Sequence, residues 1–382
     1  MSATTPPPLL VIADSRIIET IRRDSLTIAL DATYAAGTGL TGVGVYSREI
    51  LVGTARAHPE SRFLYCYRPH RLLKAFAERH PRNASRRLLS YAVQPRADVF
   101  HALNQRVEYA VKSVPTVVTF HDLFVLSGDY SSAGFRERFA QQAREAAGRA
   151  DLIIAVSRFT ADQVRDLLNV PESRIRVILH GTRSPASTPP DDDARENLIL
   201  HVGAIQKRKN LIRLVEAFES IEAPLQSRDC KGTAPWRLVL AGSPSGWQSE
   251  ETLSRIDASP ARSRIDVTGY VSQNTLEDLY CRARILAFPS LDEGFGIPVI
   301  EAMARGLPVL TSNRSALPEA AGGAALLIDP LDTDSIAQGL ARLTNDAALR
   351  NELRAKGLAR AATMTWDRAV AQTWAVYQEL LP

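Results

Sequence analysis

Cysteine is scarce in this 382-residue chain: only Cys66, Cys230 and Cys281 are present, far apart in sequence. They can form neither a CxxC metal knuckle nor a fully paired disulfide framework, so a reducing compartment is expected. An excess of one charge is lacking too. Lysine and arginine number 46 against 42 aspartate and glutamate, a formal +4, although the pI is near 9.0. That is too little for a polyanion binder unless it is concentrated locally, so nucleic acid is not an expected partner. No apolar run approaches the roughly 18 residues of a spanning helix, and the Leu9–Ala13 patch is too short for a signal sequence and has no basic flank before it. A cytoplasmic protein is expected. The sequence also has no H-E-x-x-H, no clustered His and Cys ligand set and no G-x-S-x-G elbow; in Gly242–Gly246 the serines stand at the wrong places. Asp191–Asp193 and Asp332–Asp334 do have D-x-D spacing. No strand leads into either, so they read as a solvated linker and a helix start, and no metal is expected.

What the chain does have is 45% apolar and 23% charged residues, an ordinary globular balance over a length too great for one core. Short apolar segments alternate with amphipathic ones, the pattern of parallel sheets covered on both faces. Strands are expected at Leu26–Asp31, Phe63–Tyr67, Val99–Leu103, Thr116–Phe120, Leu152–Val156 and Ile175–Leu179. Helical spacing joins Val43, Tyr46, Ile50 and Leu51, and likewise Phe135, Phe139, Ala143 and Ala146. Gly181–Glu196, with three prolines, three successive aspartates and almost nothing to bury, reads as a linker. Alternation then restarts, with strands at Leu198–Val202, Leu238–Ala241, Ile265–Thr268, Ile285–Pro289, Pro308–Thr311 and Ala325–Ile328, and a helix carrying Leu211, Leu214, Val215 and Phe218. The fold class is therefore α/β, two doubly wound Rossmann-like domains facing a cleft. The expected division is residues 1–185, residues 186–365, and a last helix over 366–382 that crosses back with Val370, Trp374, Tyr377 and Leu381 on one side. Residues 1–25 give no clear element.

Several motifs carry chemistry. A formal G-x-G-x-x-G stands at Gly37, Gly39 and Gly42, but five residues separate it from the strand, and the second strand ends at Arg68 where a dinucleotide fold wants an acidic ribose ligand. At best this leaves an NADP-dependent oxidoreductase as the alternative. The favoured reading is a glycine loop, Gly39–Gly44, feeding a helix at Val45 whose free N–H groups can approach a phosphate or sugar. In Pro289–Pro308, after a strand, Gly294 and Gly296 clear the approach so that the amides of Phe295, Gly296 and Ile297 can face an anion or hydroxyls. Pro298 suits a helix start, and Gly306 with Pro308 closes the helix. Glu293 falls on the loop and Glu301 in the first turn, acceptors suited to sugar hydroxyls at one end and ribose hydroxyls at the other. Gly203–Asn210 places Lys207, Arg208 and Lys209 at a helix N-terminus, where a bound anion would relieve the conflict with the helix dipole. His121 ends its strand at the same carboxyl edge, and His101 is a weaker copy of it.

The segment from Glu293 to Glu301, with Gly294, Phe295, Gly296 and Pro298 between, resembles the glutamate, seven residues, glutamate motif of retaining glycosyltransferases of the GT-B fold, family 4. So do Leu198–Phe218, Val118–Asp122, Ala150–Arg158 and Leu317–Gly322 in their places, and the resemblance covers nearly the whole chain. It implies a nucleotide-sugar donor in the second domain, a saccharide or lipid-linked saccharide acceptor mostly in the first, and transfer with retained configuration and no metal or other cofactor. By the same resemblance Glu301 holds the ribose, and Glu293 with the Phe295–Ile297 amides holds the sugar. Lys209 and Arg208 hold the diphosphate, His121 lies near the reacting face, and Gly42 and Gly44 line the acceptor and phosphate side. Many members carry an arginine directly after the glycine of the donor strand, whereas here Gly203 is followed by Ala204, and Arg208 is the candidate substitute. The Phe-His-Asp-Leu and Arg-Lys-Asn segments resemble those of bacterial mannosyltransferases, which implies GDP-mannose and a place in surface polysaccharide or glycolipid synthesis. Finally, Arg68–Ser90 holds seven Lys/Arg against the single acid Glu78, interleaved with Leu72, Leu73 and Phe76. Either a solvated helix face or a surface resting on anionic membrane is expected there.

Overall fold

The computed structural model describes residues 25–37, 39–90, 96–107, 114–185, 187–221 and 235–381; the Leu9–Ala13 patch and Cys230 lie outside them. The first seven strands are β1 (Thr27–Asp31), β2 (Arg62–Tyr67), β3 (Ala84–Leu88), β4 (Val99–Ala102), β5 (Thr116–Phe120), β6 (Leu152–Ala155) and β7 (Ile175–Val177). They form one sheet in the order β3-β2-β1-β4-β5-β6-β7. The second sheet contains β8 (Leu198–Val202), β9 (Arg237–Ala241), β10 (Ile265–Gly269), β11 (Ile285–Phe288), β12 (Val309–Ser312) and β13 (Leu326–Ile328), ordered β10-β9-β8-β11-β12-β13. All of these pairings are parallel. In each sheet the chain winds outward from a central strand in both directions, reversing between β1 and β4 and between β8 and β11. Ligands of open sheets bind outside the carboxyl ends at such reversals.

Every expected strand is found, with ends shifted by one or two residues, and β3 is an addition. Its Ala-Ser-Arg-Arg-Leu composition reflects an edge position, half exposed and without an apolar run. The Arg68–Ser90 stretch is therefore not one helix but a short helix, Pro69–Ala75, followed by this strand. Three further expectations need correcting. The helix after the glycine loop begins at Gly42, not Val45, with Thr41 extended before it, so the flexible part is shorter. Phe135 is 41% exposed; its helix buries Phe139, Ala143, Ala146 and Ala147 instead. The aspartates of the linker are not all solvated: Asp192 is buried in an ion pair with Arg350 at 2.6 Å, and Arg195 donates to the carbonyls of Tyr280, Ala283 and Arg305. The linker's second half is thereby clamped to the second domain.

The last helix, Trp366–Glu379, does lie on the first domain. Trp366, Ala369, Val370, Trp374 and Tyr377 join Tyr46, Ile50, Phe63 and Tyr65 in one core cluster, each large apolar side chain contributing roughly 1.5–3 kcal/mol of burial. The two strands of chain that cross between the domains run side by side: Thr182 bridges Thr365, and its N–H donates to Met364 O at 2.9 Å. Only glycine fits at 181, where a Cβ would stand 2.2 Å from the Trp366 nitrogen.

Candidate active site

The loop after β11 is the centre of the site. Gly296 holds φ +116°, a region that favours glycine, immediately before the helix Ile297–Ala304. Among the described residues the backbone N–H groups of Phe295, Gly296 and Ile297 donate no hydrogen bond. Pro298 falls in the first turn of that helix, whereas Glu301, its fifth residue, sits in the second turn and not in the first as expected. Tyr280 Oη donates to Glu301 Oε2 at 3.0 Å. Burial pushes the Glu301 carboxyl up, and nearby Arg305 draws it back.

Opposite lies the turn Lys207–Lys209, closed by Asn210 in the left-handed region. This turn separates the three cations. Lys207 stays exposed near Asp129 at 3.7 Å, while Arg208 and Lys209 turn inward. Lys209 Nζ stands 2.5 Å, and Arg208 Nη1 2.8 Å, from the same oxygen, Glu293 Oε1. The conflict with the helix dipole is thus met by a carboxylate of the chain itself. Burial works against the Glu293 carboxylate, but Arg208 and Lys209 together outweigh it and hold its pKa at about 2. Lys209 is pushed down to about 8: loss of water dominates, Glu293 opposes it, and Arg208 adds repulsion. Gly203, at φ +147°, lies directly beneath, where a Cβ would be 3.1 Å from Lys209 Cε.

The first domain completes the cleft. A Cβ on Gly294 would stand 1.7 Å from the His121 carbonyl oxygen, so the two loops touch backbone to backbone. His121 Nε2 meets Leu103 O at 2.9 Å, which assigns the ring hydrogen to Nε2 and leaves Nδ1 as an acceptor. Burial pushes the imidazole down to about 4, so it is neutral at pH 7. Arg208 lies 4.5 Å over the Phe124 ring, and Ser127 Oγ donates to Asp292 Oδ2 at 2.9 Å.

His121, Glu293, Lys209, Arg208, Gly203, Phe295, Gly296 and Ile297 are therefore brought together, with Glu301 further along the helix that follows the loop. Gly42 faces Ile297, whose Cδ1 lies 3.4 Å from where its Cβ would be, but Gly44 is turned inward against the Tyr34 carbonyl and borders no cleft. His101 is a core residue: Nδ1 meets Tyr377 Oη at 2.7 Å and Nε2 meets Thr119 Oγ1 at 2.8 Å. The oxidoreductase alternative fails at Arg68, which is buried against Asp31 at 3.3 Å and donates to Arg106 O, so it cannot reach a 2′-phosphate. Sequence reasoning missed Asp122, pushed up to about 6 by burial and facing Arg208, Glu293 and Asp292; its place next to His121 was the available signal. It also missed His180, stacked on His121 with centroids 5.6 Å apart and edge-on to Phe295 at 5.0 Å, for which only its position just past a strand could have served.

Residues 44–183 match the family described as Glycosyltransferase Family 4, and residues 187–360 that described as Glycosyl transferases group 1. The chain is 30% identical over 320 residues to the O-antigen chain mannosyltransferase B of Escherichia coli, covering 81% of this chain and 80% of that protein. Sucrose-phosphate synthase from Thermosynechococcus elongatus superposes with a TM-score of 0.72 at 20% identity, over 93% of this chain and 98% of that one. The Anabaena protein HepE in complex with UDP-glucose gives 0.71 at 16%, over 93% and 100%. These two solved structures share the fold. With two parallel-sheet domains closed on one cleft, and that identity across four-fifths of a known enzyme, the chain belongs to glycosyltransferase family 4 and is a glycosyltransferase of the GT-B fold.

Proposed function

We propose that this enzyme moves mannose from GDP-mannose to a saccharide or lipid-linked saccharide acceptor, with retained anomeric configuration and without a metal ion, in the synthesis of a surface polysaccharide or glycolipid. The observation that carries the proposal is the half-buried Arg208 and the buried Lys209 converging on Glu293 at the carboxyl edge of the second sheet. The similarity to an O-antigen chain mannosyltransferase supports the sugar and the product class, and the UDP-glucose seen in HepE supports a nucleotide-sugar as donor.

The chemistry follows from charge. The bond between the anomeric carbon and the β-phosphate oxygen breaks, and its electron pair leaves with the nucleoside diphosphate. The acceptor hydroxyl oxygen bonds to the same face of that carbon, and its proton passes to the departing phosphate oxygen. Lys209 and Arg208, the two cations that converge on Glu293, meet the charge that grows on the diphosphate, with Arg208 standing in for the arginine missing at Ala204. The amides of Phe295–Ile297 add fixed dipoles. Glu293 and the Nδ1 acceptor of His121 take hydrogen bonds from sugar hydroxyls, and Glu301 takes them from the ribose.

The test is a donor panel of GDP-mannose, UDP-glucose and dTDP-glucose, each with and without acceptor, in EDTA. Turnover of GDP-mannose with an α-linked product is expected; a requirement for divalent metal, or an inverted product, refutes the mechanism.

Peripheral contact with anionic membrane belongs to the same proposal. Leu73 is 83% and Phe76 64% exposed, beside the exposed cations Lys74, Arg79, Arg82 and Arg87. Among the described residues no helix is long and apolar enough to cross a membrane, and this patch is the proposed contact. Salt-sensitive flotation with acidic liposomes, lost in a Leu73→Ser/Phe76→Ser variant, is expected; absence of binding at every salt concentration ends the idea.

A further inference from the structure

The Glu293 loop is fastened from the other domain. Ser157 ends β6's approach to the helix Arg158–Leu168 and caps it, its Oγ accepting from Thr160 N at 3.0 Å. The same Oγ donates to the carbonyl of Gly294 at 2.7 Å, and Thr160 Oγ1 donates to that carbonyl at 3.1 Å. Both hydroxyls are fully buried. One residue on, Arg158 N donates to Glu319 Oε2 at 2.8 Å, an interaction the helix dipole favours. Glu319 lies just past Ser315 and Ala316, which in turn hold Glu293: its N–H donates to Ser315 Oγ at 3.2 Å, and its carbonyl accepts from Ala316 N at 3.3 Å. A single helix end of the first domain therefore holds the loop directly at Gly294 and, through Glu319 and the turn before it, indirectly at Glu293.

We infer that Ser157 and Thr160 are positioning residues for sugar transfer, holding the Gly294 carbonyl so that Glu293 and the Phe295 and Gly296 amides take up their working geometry on domain closure. This rests on the function proposed above. A buried carbonyl that loses a donor is left undersatisfied and the loop relaxes, whereas Arg208 and Lys209 stand on the turn after β8 and meet this loop at Glu293, not at the Gly294 carbonyl.

Thr160→Val is the informative variant, because it keeps the side chain's shape and leaves the Ser157 cap in place. It is expected to lower kcat about tenfold, the factor that corresponds to one lost hydrogen bond, with donor KM within about twofold. Thr160→Ser restores kcat, and Ser157→Ala/Thr160→Val deepens the loss to about a hundredfold. In parallel, hydrogen exchange at Phe295 and Gly296 is expected to quicken in Thr160→Val and not in Thr160→Ser. Wild-type kcat in Thr160→Val, equal losses in Thr160→Val and Thr160→Ser, or unchanged exchange each overturn the positioning role. If the wild-type enzyme turns over no nucleotide-sugar while exchange still quickens, the functional reading fails and the fastening of the loop stands.

Discussion

At the scale of single residues, Lys209 and Glu293 hold each other 2.5 Å apart where water is nearly excluded from both. Loss of water makes the lysine titrate early, although the contact with Glu293 works against it. In the free enzyme its pKa is about 8, so kcat/KM for the donor, which reports free-enzyme groups, is expected to fall above about pH 8 as the cation is lost. The limb moves beyond pH 10 in Lys209→Arg. Glu293 and His121 lie at about 2 and about 4, so neither makes a limb between pH 5 and 7. On the proposed mechanism Lys209→Ala removes a donor to the leaving group and is expected to reduce kcat by a factor of about a hundred or more, about 2.7–4 kcal/mol by analogy with oxyanion donors; steady-state kinetics read it. These residues were legible in the sequence because glycines, cations and carboxylates lie at fixed distances from strand ends. The direct pairing of Glu293 with both cations was not, because residues 84 apart meet only through the parallel order of β8 and β11.

At the scale of elements, the linker shows how composition misleads. Three aspartates in a proline-rich stretch look solvated, yet Asp192 meets Arg350 of the helix Ala347–Ala362 through both carboxylate oxygens. No local signal announces a partner 158 residues away. Breaking a buried pair leaves its partner uncompensated, so Asp192→Ala is expected to destabilise the protein by about 3 kcal/mol, read from the urea midpoint of the second domain. The β3 strand was hidden for the converse reason: an edge strand needs only its inner side to be apolar. In the loop between β11 and its helix, Gly296 is required by its conformation and Gly294 by contact. Gly294→Ala places a Cβ where the His121 carbonyl stands. The expected outcome is near-total loss of transfer with both domains still folded, together with a larger radius of gyration in solution scattering, because the cleft cannot shut.

At the scale of the whole molecule, the two domains were readable from alternation alone, since buried parallel strands need continuous apolar runs and the helices between them need one apolar face. The return of the last helix was readable only as an unclaimed apolar stripe. Trp374 now stacks on His58 at 3.6 Å and packs against Phe63. Trp374→Ala is expected to cost about 3 kcal/mol, the lower end for an aromatic truncated in a core, and to lower the unfolding midpoint of the first domain while leaving donor binding by the second intact; fluorescence and calorimetry separate the two transitions.

Since Trp366, Ala369, Val370, Trp374, Val376 and Tyr377 complete a core whose other members are all encoded before residue 179, the spatial lobe and the contiguous gene segment are different objects. Chimeras that graft the first domain of one such enzyme onto the second domain of another therefore need two junctions, with the terminal helix travelling alongside the first domain. A single cut at the linker would ask that helix to dock on a foreign surface, and pairs of parents ought to tolerate it only where those docking side chains coincide.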